Sequence, residues 1–204
     1  MTRRIVIAED ETLTRLDLKE MLIENGYDVV GEASDGLDAL RICKEKNPDI
    51  VLLDIKMPLM SGLQVAKLLK EDGFMGCIII LTAYNMKEYI EEASKNYVMG
   101  YLIKPIDEPI FLSRMNMIYT TYLRMIKYKD ESEEAKNKLE ERKYLEKAKG
   151  KIMKQYNYTE EEAYKKMRDV SMKKRISMLE LSKIILISGE IEIWLKLIVK
   201  FVQL

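Results

Sequence analysis

The chain has 204 residues, with 34 Lys+Arg against 34 Asp+Glu, no histidine and two cysteines. That length accommodates one ordinary domain plus a small one, and 48% apolar with 33% charged residues suits a globular protein with its own core. The missing histidine excludes Ser-His-Asp and Cys-His nucleophiles and His-ligated zinc, and two cysteines are too few for a disulfide framework.

Cys43 and Cys77 lie in helical or apolar surroundings and read as reduced thiols. The N-terminus MTRRIVIAED meets acids too early for a signal peptide, and no apolar run is long enough to span a membrane. A cytoplasmic protein without a membrane partner is expected. The zero net charge is uneven: residues 1–126 carry 15 basic and 20 acidic side chains (net −5), and residues 127–204 carry 19 and 14 (net +5).

Ile5–Ala8 reads as a buried strand, followed by a helix over 12–25 that stops at Asn25-Gly26. Val29-Val30 opens a second strand and Asp38–Lys46 a second helix, closed by Asn47-Pro48. Ile50–Leu53 is a third strand. Ser61 and Gln64 form a capping box before a helix over Leu63–Lys70. Cys77–Leu81 is a fourth strand, 86–95 a helix and Tyr101–Ile103 a fifth strand. Strands alternating with helices predict an α/β fold, a doubly wound five-stranded parallel sheet of order 2-1-3-4-5. Ligands of such sheets bind at the carboxyl ends of the strands.

From Asp107 the pattern is helical. Leu112, Met115, Tyr119, Tyr122 and Ile126 step by three and four like a coiled-coil seam. Residues 127–147 then carry 14 charged side chains, seven of each sign. They read either as a solvated helix or as a spacer that also dimerises, and dimerisation is the expectation. Three helical segments follow: Leu139–Tyr156, one capped by Thr159 with Glu162, and one capped by Ser177 with Glu180. They form a small all-α domain. The tail 188–204 is apolar with a narrow polar stripe of Glu192, Lys196 and Lys200, and is expected to pack on its own or a partner's helices.

The strand ends carry the chemistry. Glu9 and Asp10 end the first strand, Asp54 the third, Thr82 the fourth and Lys104 the fifth. In the predicted order three carboxylates converge and need neutralising, which a hard cation such as Mg²⁺ and the Lys104 ammonium supply. A carboxylate can then attack an incoming phosphoryl group.

The strings Glu9-Asp10-Glu11, Asp54-Ile55-Lys56-Met57-Pro58-Leu59-Met60-Ser61-Gly62, Leu81-Thr82-Ala83 and Lys104-Pro105 resemble the receiver domain of two-component response regulators. The resemblance covers residues 3–106. It implies that Asp54 accepts phosphate from a sensor histidine kinase. It implies that Asp10, Asp54 and the Lys56 backbone carbonyl ligate Mg²⁺, with Glu9 acting through metal-bound water. Thr82 and Tyr101 become the switch that remodels the face beside the fifth strand, and Lys104-Pro105 is expected to be cis. One departure is Tyr97-Val98 before Met99-Gly100, where receivers often carry Gly-Ala. Lys56 and Tyr84, two residues after Asp54 and Thr82, are expected to slow loss of the phosphoryl group. The chain is otherwise no enzyme: it accepts phosphate and at most loses it slowly.

Residues 147–183 carry 11 basic and 5 acidic side chains, with Tyr144, Tyr156, Tyr158 and Tyr164 in and beside them. Charge gives phosphate affinity and aromatics stack on unpaired bases, although a solvated basic face has the same composition. Leu145–Met153 with its Ala148-Lys149-Gly150, then Glu162-Ala163-Tyr164, then Arg168-x-x-Ser171-Met172, resemble the ANTAR output domain. That resemblance spans about residues 140–187 and is strongest to regulators of ethanolamine-utilisation genes. It implies a transcription antiterminator that binds paired hairpins in nascent leader RNA, acting as a homodimer formed on phosphorylation. The expected RNA contacts are Lys149, Gly150, Lys151, Tyr164, Arg168, Lys173 and Arg175. The expected domains are a receiver over 1–122, a helical linker over 123–145, the ANTAR domain over 146–187 and the tail 188–204. A DNA-binding response regulator is the alternative, but residues 140–187 offer no helix-turn-helix.

Overall fold

Short apolar runs form the five strands β1 (Arg4–Ala8), β2 (Asp28–Ala33), β3 (Ile50–Asp54), β4 (Cys77–Ala83) and β5 (Gly100–Lys104). The computed structural model describes residues 2–83 and 98–188. The strands pair in parallel in the order β2-β1-β3-β4-β5, as the sequence pattern predicts. Every residue of β3 is buried, as a central parallel strand covered on both faces requires. Register brings the strand ends together: Ala8 stands beside Leu53, Asp54 beside Leu81, and Thr82 beside Ile103.

Alternation divides the strand residues between two core layers. Ile5, Ile7, Ile50, Leu52, Ile79 and Leu81 face α1 (Thr12–Glu24) and the first part of α4 (Glu108–Tyr156). Val6, Ala8, Val51, Leu53, Ile78 and Ile80 face α2 (Gly36–Lys46) and α3 (Gly62–Glu71). Each fully buried Ile or Leu contributes about 2 kcal/mol of hydrophobic free energy. Asp35 accepts a hydrogen bond from the Asp38 amide at 2.9 Å, which starts α2 at Gly36, two residues before the expected start. Ser61 and Gln64 form the expected capping box on α3. The expected helix over 86–95, Tyr84, Tyr97 and the tail 189–204 lie outside the described residues.

The seam predicted on α4 is corrected. Met115, Tyr119 and Tyr122 are buried in the sheet's own core, with Leu112 and Ile126 packed against it. Their three-four spacing serves a helix lying on a sheet, so these residues offer no seam to a second chain. The segment Leu139–Tyr156 is also not a separate helix. It is the end of the 49-residue α4.

The chain divides into two compact units, residues 1–126 and 127–204. The second has its own core, built from Ala148 and Ile152 of α4, Ala163, Met167 and Val170 of α5 (Glu160–Lys174), and Leu181 and Ile185 of α6 (Met178–Ser188). Among the described residues, no helix is long and apolar enough to cross a membrane.

Candidate functional site

Parallel strands end on the same side of their sheet, so their last residues share one crevice. Carboxylate oxygens of Glu9, Asp10 and Asp54 lie within 4.8 Å of one another there. Glu9 is 1% and Asp54 7% exposed, whereas Asp10 is open to solvent. Lys104 reaches over from β5: its Nζ lies 2.5 Å from Glu9 Oε2 and 2.7 Å from Asp54 Oδ1. The Lys56 amide donates to Asp54 Oδ2 at 2.8 Å. One cation and one amide therefore hold two acids that burial would otherwise disfavour.

Burial pushes the Glu9 carboxyl above its ordinary value, against the opposing hydrogen bond from Lys104. Burial alone lowers Lys104, but hydrogen bonds to Asp54 and Glu9 outweigh it and raise the ammonium above its ordinary value. The backbone fixes these groups as well. Arg15 donates to the Glu9 carbonyl at 2.6 Å, and the Gly62 amide donates to the Ile55 carbonyl at 3.1 Å. Gly62 packs so closely that a Cβ there would collide with the Asp54 carbonyl oxygen. Gly62 positions Asp54, and it is absent from the expected site residues. The signal for it is a glycine immediately after the cap residue Ser61.

Thr82 is half-buried, and its hydroxyl donates to the Ala83 carbonyl at 3.1 Å. The Tyr101 hydroxyl is buried without a hydrogen-bond partner among the described residues, and burial raises its pKa. Lys104-Pro105 is cis. Lys56 is exposed. Cys43 and Cys77 are free and buried, and burial pushes both thiols up to about 12, which leaves them unreactive.

In the second unit the expected RNA residues separate into two groups. Tyr164, Arg168, Lys173 and Arg175 are exposed on or just after α5. Tyr164 and Arg168 stand one turn apart on one flank, and Lys173 lies about half a turn round on the other. The backbone at Gly150 is open, because a Cβ there would meet nothing within 4 Å. Lys149 and Lys151 are differently placed. Lys149 is 7% exposed, and its Nζ lies 2.7 Å from Glu146 and 2.6 Å from Glu160. Lys151 donates to the Ile185 carbonyl at 2.9 Å and the Leu186 carbonyl at 3.4 Å, in the last turn of α6. These two ammonium groups have partners inside the unit, unlike the open side chains on α5. The sequence does hold a sign of it. Lys149 lies four residues after Leu145 and three before Ile152, inside the apolar stripe of α4.

A family profile described as the response regulator receiver domain matches residues 5–116, and one described as the ANTAR domain matches residues 133–186. The chain is similar to the transcriptional regulatory protein PdtaR of Mycobacterium tuberculosis (strain ATCC 25618 / H37Rv). They are 33% identical over 184 residues, covering 90% of this chain and 89% of that protein. It is also similar to the chemotaxis protein CheY of Bacillus subtilis (strain 168), 32% identical over 116 residues, which cover 57% of this chain and 97% of that one. Among solved structures, the REC domain of AraT, a response regulator from Geobacillus stearothermophilus, superposes with a TM-score of 0.55 at 29% identity. That match covers 61% of this chain and 98% of the other. A DNA-binding response regulator of the LuxR family from Staphylococcus aureus matches with the same TM-score and identity, covering 57% of this chain and 98% of the other. The chain belongs to the response regulators, as a receiver domain followed by an ANTAR domain.

Proposed function

We propose that Asp54 accepts a phosphoryl group from a partner histidine kinase, and that the phosphorylated chain binds paired hairpins in nascent leader RNA and so prevents transcription termination. The observation that carries this reading is the buried Asp54 carboxylate, held by Lys104 and flanked by Glu9 and Asp10, in a chain that also has an ANTAR domain. An Asp54 oxygen forms the new O–P bond as the donor's N–P bond breaks, and the donor imidazole leaves as the neutral base after taking up a proton. With no histidine of its own, this chain cannot be the donor.

The acidic cluster suits Mg²⁺, a hard cation that takes oxygen ligands and keeps several waters. Asp10, Asp54 and the Lys56 carbonyl would hold it, with Glu9 acting through water, and bound Mg²⁺ supplies positive charge to the phosphoryl oxygens. Lys104 supplies a second, fixed cation. Thr82 and Tyr101 act as the switch, since among the described residues neither hydroxyl has a side-chain partner. A homodimer formed on phosphorylation brings two ANTAR domains to two hairpins. Met117, Leu123, Met125 and Tyr128, exposed on α4, support that association. The protein works in the cytoplasm, where leader transcripts are made.

The test measures binding to a two-hairpin RNA and to duplex DNA side by side, before and after treatment with a phosphodonor. The wild-type chain takes up one phosphoryl group per Asp54 and gains RNA affinity, whereas the Asp54→Asn variant does neither. Phosphorylation-dependent preference for duplex DNA would replace this reading with the DNA-binding one.

A further inference from the structure

We propose that Lys149 and Glu160 are positioning residues for RNA binding, joined in a latch that sets the angle of α5, and that neither touches the RNA. The inference rests on the RNA-binding reading above. Lys149 lies on α4 and Glu160 is the first residue of α5, with only residues 157–159 between the helices. The ammonium bridges Glu160 at 2.6 Å and Glu146 at 2.7 Å, while its own side chain is only 8% exposed. Asn157 holds the turn in the left-handed region at φ 54°. Thr159 then caps α5, accepting from the Glu162 amide at 3.3 Å and donating from its own amide to Glu162 at 2.8 Å.

The start of α5 is therefore fixed by one cation from the preceding helix. Tyr164 and Arg168, the exposed aromatic and guanidinium, stand on the first half of that same helix. A change at the Lys149–Glu160 contact moves both of them relative to α4. Both carboxylate partners are mostly exposed, so drawing the ammonium out to a phosphate would leave two unpaired acids facing the RNA. Lys149 thus belongs to the scaffold, and sequence-level counting of basic residues overstates the RNA face by this one.

Direct contact and positioning predict opposite results for the acid. If Lys149 binds phosphate, removing the nearby negative charge with Glu160→Gln favours RNA. If the pair is a latch, the same substitution weakens RNA binding. The probe is an RNA of two stem-loops selected for binding to the full wild-type chain, with affinity measured across a salt series. Lys149→Met and Glu160→Gln are each expected to weaken binding by about 2- to 30-fold, the range for residues that act without touching the ligand. The slope of log affinity against log salt stays at the wild-type value, and Lys149→Arg restores affinity.

The inference is overturned if Glu160→Gln binds as tightly as wild type or tighter, or if Lys149→Met lowers the slope by about 0.9, the loss of one phosphate contact. Glu160 is mostly exposed, so its variant keeps the test open should Lys149→Met not fold. Failure to select any RNA with the wild-type chain would strike the RNA-binding reading itself, which separates the two outcomes.

Discussion

Asp54 is gripped from both sides, by Lys104 on Oδ1 and by the Lys56 amide on Oδ2, and its carbonyl is walled by Gly62. Gly62→Ala therefore forces either the end of β3 or the start of α3 to move. Overpacking of this kind costs roughly 1–3 kcal/mol. Thermal unfolding is expected to show that loss, and phosphoryl uptake at Asp54 is expected to fall with it. A variant of wild-type stability and wild-type uptake would show that the contact relaxes freely. Tyr101 makes the opposite case. Its buried hydroxyl has no partner among the described residues, so Tyr101→Phe removes an unsatisfied group and is expected to stabilise the unphosphorylated receiver by about 1 kcal/mol. Glu9, Asp10, Asp54 and Lys104 were legible as a cluster because each closes an apolar strand, and parallel topology does the gathering. The burial of Lys149 was legible in its place on the apolar stripe of α4, but its pairing was not, because Glu160 lies eleven residues away on another helix.

At the scale of elements, the boundaries follow the caps. The Thr159–Glu162 box starts α5, and Ser177 with Glu180 exchanges the same bonds ahead of α6. Thr159→Ala is expected to cost about 1 kcal/mol in the second unit, read by thermal unfolding. Acid acts on the same turn. The hydrogen bond from Lys149 holds Glu160 below the ordinary carboxylate value of 4.5, and the Thr159 amide and hydroxyl hold Glu162 below it. Because both are lowered by folding, their stabilisation is complete above about pH 4.5 and is lost as pH falls through the folded values. A melting series from pH 6 to pH 3 is expected to show the second unit weakening, less steeply in a Glu160→Gln, Glu162→Gln double variant. Strand positions and the capping boxes were read correctly because periodicity and cap chemistry are local. The division of α4 was not. The charged stretch continues the helix without interruption: Lys127–Glu131 at 3.8 Å and Glu134–Lys138 at 2.6 Å are one turn apart, and no Gly or Pro occurs between Ile110 and Lys149. The supposed seam failed for a different reason. Three-four spacing marks a buried face without saying what buries it, and here the sheet does.

For the whole molecule, the balanced charge is a sum of two unlike units, net −5 over residues 1–126 and net +5 over 127–204. Their cores share no residue. The first has a covered sheet with two layers, and the second has seven buried apolar residues in its core among the described residues, so the second is expected to unfold at the lower temperature. Calorimetry on the full chain should then resolve two transitions. The ligands sort them by mass action, since each stabilises only the unit that binds it. Mg²⁺ is expected to raise the upper transition, because it neutralises Glu9, Asp10 and Asp54. The two-hairpin RNA is expected to raise the lower one, by about 2.7 kcal/mol of stability at 100 times its Kd. Salt separates the two effects further. Basic side chains that meet phosphates release counterions, so with Arg168 and Lys173 as the proposed contacts the RNA-induced shift is expected to shrink steeply between about 50 and 200 mM salt. The Mg²⁺ shift shrinks less, because Glu9 and Asp54 are buried and screened weakly. A single transition raised equally by both ligands would show that the units fold as one, and that Mg²⁺ and RNA binding are coupled through folding.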